Sequence, residues 1–94
     1  MRVRWTRSSL RTLDEIAEYI AQDRPMAAQR VVERIREAVE HLASQPLLGR
    51  QGRVPGTREL IVPGTPFIIP YLLKEETIVI LDVLHAARRW PPAF

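Results

Sequence analysis

Between residues 7 and 22, Leu10, Leu13, Ile16, Ala17, Ile20 and Ala21 recur at helical steps, drawing one apolar stripe along a predicted helix. Thr6 or Ser8 is placed to cap it by accepting a hydrogen bond from a first-turn amide. The pattern stops at Asp23-Arg24-Pro25, where Asp23 is placed to cap a second helix and Pro25 suits that helix's first turn. This second helix is predicted to run to about Ala43, with Ala28, Val31, Ile35, Val39 and Leu42 on its apolar side. So short a connection makes the pair an antiparallel hairpin.

Ahead of the helices, Arg2 to Trp5 alternates charged and apolar residues, the signature of a short strand that buries Val3 and Trp5. Residues 45–56 contain Pro46, Gly49, Gly52, Pro55 and Gly56 and read as a loop that displays Arg50 and Arg53 to solvent. Beyond it, residues 57–62, 66–74 and 77–85 are rich in β-branched and aromatic residues. Pro63-Gly64-Thr65 and Glu75-Glu76 separate them, predicting a three-stranded antiparallel meander. The fold class is therefore α+β, ordered β-α-α-β-β-β: an antiparallel four-stranded sheet with a two-helix hairpin on one face, all within a single domain over residues 1–94.

The last strand is apolar on both sides. Alternation puts Val79, Leu81 and Val83 on one face and Ile78, Ile80 and Leu84 on the other, with Asp82 and His85 as exceptions. A helix hairpin covers one face of a sheet, so the second apolar face is expected to meet another chain, either a distinct partner or a second copy. Pro70 has no amide hydrogen for a strand with two neighbours, which predicts a bulge or an edge position there.

Composition narrows the chemistry. With 94 residues and no cysteine, the chain has no disulfide or thiolate metal site, and His41 and His85 lie too far apart to suggest a metal centre. No metal and no cofactor is expected. No apolar run approaches the roughly 20 residues needed to cross a bilayer, so a cytoplasmic protein without a membrane partner is expected. The net charge is +3, and Lys74 is the lone lysine beside thirteen arginines. Arginine's planar fork suits carboxylates and phosphates equally, which leaves acidic proteins and nucleic acids both open as partners.

Several segments in order resemble the RelE/ParE toxin superfamily. Trp5 and the helix Leu13-Asp14-Glu15-Ile16-Ala17-Glu18-Tyr19-Ile20-Ala21, with Pro25 and Ala28, are similar to its first strand and helix pair. Pro46, Leu48-Gly49-Arg50 and Gly56-Thr57-Arg58-Glu59-Leu60 resemble its loop and second strand. Phe67-Ile68-Ile69-Pro70-Tyr71 and Val83-Leu84-His85-Ala86-Ala87-Arg88 resemble its last two strands. The resemblance implies a toxin neutralised by a cognate antitoxin, whose flexible acidic or amphipathic segment wraps the helices and sheet. Leu13, Ile16, Ile20, Phe67, Ile69 and Tyr71 are the expected antitoxin contacts, and operator DNA would be reached only through the antitoxin.

Two activities share that fold, so architecture alone does not choose between them. Cleaving RNA through its 2′-hydroxyl needs a proton acceptor, a cation for the phosphorane and an acid for the leaving oxygen. RelE-type enzymes draw much of this from arginines on the third strand and after the fourth, with lysines on the second. Here Ile68 and Ala86 or Ala87 occupy the arginine positions and the second strand has no lysine, leaving His85 and Arg58 as a nuclease's candidate catalytic residues. The ending His-Ala-Ala-Arg-Arg-Trp-Pro looks more like the ParE branch, which implies trapping of a DNA gyrase cleavage complex. Arg58, His85, Arg88, Arg89 and Trp90 are the expected target contacts. A family member that binds its partner without toxicity is the third class.

Each candidate also has a plain structural role. His85 ends a strand and could serve only a turn; Arg58 could pair with Glu59; Trp90 could be a lid on the sheet instead of an anchor for a partner. Trp5, Tyr19 and Tyr71 are expected to pack, with the tyrosine hydroxyls at the rim.

Overall fold

Thr6 turns the chain from its first strand into its first helix. In the computed structural model, which describes residues 1–94, strand β1 spans Arg2–Trp5 and helix α1 spans Arg7–Ala21. The Thr6 hydroxyl accepts from the Ser9 amide at 3.1 Å, and the buried Ser9 hydroxyl donates back to the Thr6 carbonyl at 2.8 Å. Thr6, not Ser8, is thus the cap. Helix α2 spans Pro25–Ser44, and its cap position is Arg24, without a side-chain hydrogen bond. The expected cap at Asp23 is displaced by one residue because Pro25 forces its predecessor out of helical conformation.

Six strands follow the two-layer plan in a mixed sheet. After β1 come β2 (Arg50–Gln51), β3 (Arg58–Ile61), β4 (Phe67–Lys74), β5 (Thr77–Ile80) and β6 (Leu84–His85). The spatial order is β1-β5-β4-β3-β2, and β6 also pairs with β4. The meander is antiparallel as expected, with Arg58 opposite Tyr71 and Tyr71 opposite Ile80. β1, however, runs parallel to β5, with Val3 opposite Ile78 and Trp5 opposite Ile80. The helix hairpin carries the chain away from β1 before the meander begins, so no tight turn imposes an antiparallel pairing on these strands.

The expected strand over residues 77–85 is two strands with a bulge between them. β4 pairs Tyr71 with Ile80 and Ile68 with Leu84. Ile69 and Pro70 therefore face three residues, Leu81, Asp82 and Val83, and the extra residue lies opposite the proline that has no amide to offer. The Leu81 amide donates to the Pro70 carbonyl at 3.0 Å, and Asp82 takes the Val83 amide at 2.8 Å. The bulge reverses the side-chain alternation. Val83 joins Ile78 and Ile80 in the core, so the face assignment made from simple alternation fails at that point.

The core holds thirteen residues, with Leu13, Ile35, Ala38, Val39 and Leu42 from the helices meeting Leu60, Val62, Phe67, Ile69, Tyr71, Ile78, Ile80 and Val83 from the sheet layer. Ile35 and Leu42 are fully buried, each worth roughly 2–3 kcal/mol of transfer free energy. On the opposite face Ile68, Pro70 and Val79 are also buried within the single chain. The second face is therefore not the open apolar surface that alternation suggested. Ile61, paired with Ile68, is its exposed apolar residue, and the others lie elsewhere, with Leu10, Tyr19 and Met26 on the helices and Leu47 and Leu48 in the loop after α2.

Two turns of the meander differ in strain. Pro63-Gly64 forms a turn in which Gly64, at φ 74°, takes the left-handed position that glycine tolerates. Between β4 and β5, Glu75 and Glu76 adopt φ 50° and 60° in a two-residue hairpin loop that normally takes Asn-Gly. The double substitution Glu75→Asn, Glu76→Gly is expected to raise unfolding stability by about 1 kcal/mol in urea titrations. An unchanged or lower midpoint would show that this turn stores no strain.

Candidate partner-binding site

Glu59 lies on β3 between Arg58 and Leu60, and strand alternation decides what each can touch. Leu60 enters the core beneath the helices, so Glu59 points to the other face. There its carboxylate is 3 % exposed and fully engaged. Oε1 accepts from the Arg50 guanidinium at 3.1 and 3.3 Å, while Oε2 accepts from the Arg53 backbone amide at 2.8 Å and its Nε at 3.2 Å. Burial alone would push the Glu59 carboxyl up, but the Arg53 amide, the Arg50 side chain and the Arg53 charge together hold it below the usual carboxylate range. Arg50 and Arg53, expected to be merely solvated, thus clamp a buried carboxylate while staying half-exposed themselves.

Arg53 extends the clamp to the C-terminal tail. Its guanidinium carbon lies 3.6 Å from the centre of the Trp90 ring, a close cation–π stack. The Trp90 indole N–H donates to the His85 carbonyl at 3.2 Å, and the Arg88 amide donates to the same oxygen at 3.1 Å. His85 Nδ1 accepts from the Ala87 amide at 3.2 Å, and the His85 ring meets Phe67 edge-on at 5.7 Å. Trp90 therefore sits as a lid held by an arginine, and His85 anchors the turn from which Arg88 and Arg89 project.

Arg58 belongs to a different place. Its guanidinium donates to the Gly49 carbonyl at 2.8 Å and reaches the Leu47 carbonyl at 3.5 Å, so it does not pair with Glu59. Beside it Tyr71 donates to the Pro46 carbonyl at 2.8 Å and accepts from the Gly49 amide at 2.9 Å. Burial holds the Tyr71 hydroxyl above its usual range, against the opposing effects of the Gly49 amide and the Arg58 charge. A side chain at Gly49 would meet the Tyr71 ring 2.6 Å from its Cβ, which is why glycine stands there. Arg58 thus pins the loop after α2. Four residues along β4 and two strand spacings separate it from His85, roughly 16 Å by ideal sheet dimensions.

The expected contact residues divide accordingly. A groove of about 610 Å³ runs between α1 and the end of β6, lined by Ile16, Tyr19, Ile20, His85, Arg88 and Arg89 among others. Phe67 contributes to its wall. Leu13, Ile69 and Tyr71, expected to meet an antitoxin, are instead closed into the core, at 3 %, 0 % and 0 % exposure. Their strand or helix face is the one that packs hairpin against sheet, so no surface of theirs is left for another chain. Tyr71 also keeps its hydroxyl inside, away from the rim. No cluster of His, Asp or Glu is placed to hold a metal, and no helix is long and apolar enough to cross a membrane.

This two-helix, mixed-sheet arrangement is that of ParE and RelE toxins. It superposes on a chain of the chromosomal ParDE system from P. aeruginosa with a TM-score of 0.82 and 32% identity, covering 90% of this chain and 95% of that one. A chain of the RelBE2 toxin–antitoxin complex from Mycobacterium tuberculosis matches at 0.67 and 27%, over 89% and 95%. The Y4kP protein of Sinorhizobium fredii, named as a candidate toxin, is 51% identical over 96% of this chain and 93% of its own. Toxin RelE2 of Caulobacter vibrioides is 36% identical over 89% and 93%. The model of the ParE toxin of the type II toxin–antitoxin system parDE matches residues 3–90. The chain belongs to the ParE toxin family.

Because the Glu59 carboxyl is depressed on folding, its contribution is complete above the ordinary carboxylate range and disappears as pH falls through the folded value. Wild type should exceed Glu59→Gln in stability by roughly 1–2 kcal/mol at pH 7. Urea melts should show this advantage narrowing as the pH drops below about 4. A difference that stays constant from pH 7 to pH 3 would mean that the charge on Glu59 contributes nothing.

Proposed function

We propose that this type II toxin acts on DNA gyrase, trapping its cleavage complex with DNA, and does so as a binding protein in the cytoplasm without catalytic residues or cofactor. The observation that carries the proposal is the separation of Arg58 from His85. With Arg88 and Arg89 beyond them, those two residues are what remains of a nuclease centre, yet Arg58 is committed to the carbonyls of Leu47 and Gly49 on the far side of β4. Arg58 and His85, set so far apart, do not make the paired catalytic centre that a phosphodiester needs within hydrogen-bond reach. His85, Arg88 and Arg89 on the groove rim, with Trp90 behind them, form the target-facing surface.

The partner in the resting state is a cognate antitoxin. Ile16, Tyr19 and Ile20 give the groove an apolar wall and Arg88 and Arg89 give it a cationic end, a combination that suits an amphipathic segment with acidic residues. Both solved relatives come from toxin–antitoxin pairs. Operator DNA is contacted by the antitoxin.

Addition of the purified chain to gyrase should abolish supercoiling and accumulate cleaved plasmid, and Arg88→Ala, Arg89→Ala should weaken this about tenfold or more. Intact supercoiling, with codon-positioned breaks in translated messages that vanish in His85→Ala, would replace the gyrase assignment with a ribonuclease.

A further inference from the structure

The target-facing tail contains no regular structure, and its course depends on a residue elsewhere in the chain. We propose that Arg53 and Glu59 are positioning residues for the toxic surface: Glu59 fixes the Arg53 guanidinium, Arg53 stacks on Trp90, and Trp90 holds the His85–Arg89 turn in its active course. The proposal rests on the gyrase assignment for its activity measurement alone.

Three contacts in series carry it. The Glu59 carboxylate holds Arg53 by both backbone amide and Nε, which restrains the guanidinium of a side chain that is otherwise half exposed. The plane lies 3.6 Å from the Trp90 ring centre. Trp90 in turn closes on the His85 carbonyl, which already receives the Arg88 amide. Past β6 these are the tail's ties to the sheet, together with the Ala86 amide, which donates to the Pro66 carbonyl at 2.8 Å. Removing the stack releases Trp90 and the arginines ahead of it while leaving the thirteen-residue core untouched, because none of Arg53, Glu59 and Trp90 belongs to that core.

The groove wall formed by Ile16, Tyr19 and Ile20 lies on α1 and is independent of the stack. The apolar wall therefore separates from the turn, whereas the groove's cationic end, Arg88 and Arg89, belongs to the turn that the stack holds. Loss of the clamp lowers action on the target more than it lowers capture by an antitoxin that uses the apolar wall. A residue that merely stabilised the fold would lower both.

The test uses the full chain with Trp5→Phe, which leaves Trp90 as its one tryptophan. Acrylamide quenching should rise severalfold in Arg53→Ala, while Arg53→Lys, which keeps a cation over the ring, recovers part of the protection. In gyrase supercoiling assays Arg53→Ala should need about tenfold more toxin, with Arg53→Lys intermediate and the affinity for an uncharged amphipathic helical peptide docked on the Ile16, Tyr19 and Ile20 wall changed by less than about twofold. Glu59→Gln is the second variant and should follow Arg53→Ala in both measurements. Quenching equal to wild type in Arg53→Ala would overturn the clamp. Released Trp90 with unchanged gyrase inhibition would overturn its positioning role. A wild-type chain inert toward gyrase would instead remove the gyrase assignment, and quenching, which needs no target, would still decide the clamp.

Discussion

Pro70 lacks an amide hydrogen in the middle of the central strand, and the arrangement of the whole sheet follows from how that gap is accommodated. The partner strand inserts one extra residue opposite it, so that the Leu81 amide meets the Pro70 carbonyl and no donor is asked of the proline. The Leu81 carbonyl then receives the Thr6 hydroxyl at 3.2 Å, and the Ile80 carbonyl receives the Thr6 amide at 3.1 Å. One local defect thereby fixes the junction of β1 with α1, ends β5, and shifts Val83 into the core. It also sets the register of β6, which places His85 against Phe67 at the end of the groove.

The opposite edge is organised by charge instead of packing. A buried carboxylate is tolerated because five of its interactions favour the ionised form over the neutral one or complete its lone pairs: the Arg50 fork, the Arg53 amide and Nε, and the field of Arg53. The clamp converts a glycine- and proline-rich loop into a defined platform. The tail rests on that platform through Trp90, and on the face of the sheet away from the helices Glu59, Ile68, Pro70 and Val79 are buried within the chain itself.

Much of this was legible in the sequence, and what was not has identifiable causes. Helical periodicity marked α1 and α2 nearly to their ends, and the turn residues separated β3, β4 and β5. Pro70 correctly announced a bulge, but the residues that form it, Leu81 and Val83, continue an apolar run, so nothing in the pattern showed where alternation would reverse. Parallel pairing of β1 with β5 has no connecting turn to signal it. Glu59 was hidden by its neighbour: Arg58 is the adjacent cation, yet adjacent strand residues face opposite sides, and the true partners lie in a loop whose path composition does not specify. Leu13, Ile69 and Tyr71 read as apolar contacts because sequence shows which residues are apolar without showing which of them the hairpin covers.

Membership of the ParE toxin family follows from the match over residues 3–90, whereas gyrase as the target is our proposal, supported by the arrangement of a few side chains. Arg58 is withdrawn into a loop, and His85, Arg88 and Arg89 are gathered by a turn that Trp90 and Arg53 hold in place. In the proposed reading this surface serves binding, with Arg58 too far from His85 to join it at one phosphodiester. The most direct measurement is amide hydrogen exchange on the chain alone and with gyrase added. The account predicts new protection confined to residues 84–90 and the loop carrying Arg53. Unchanged exchange there, or protection restricted to β1 and the far end of α2, would contradict it.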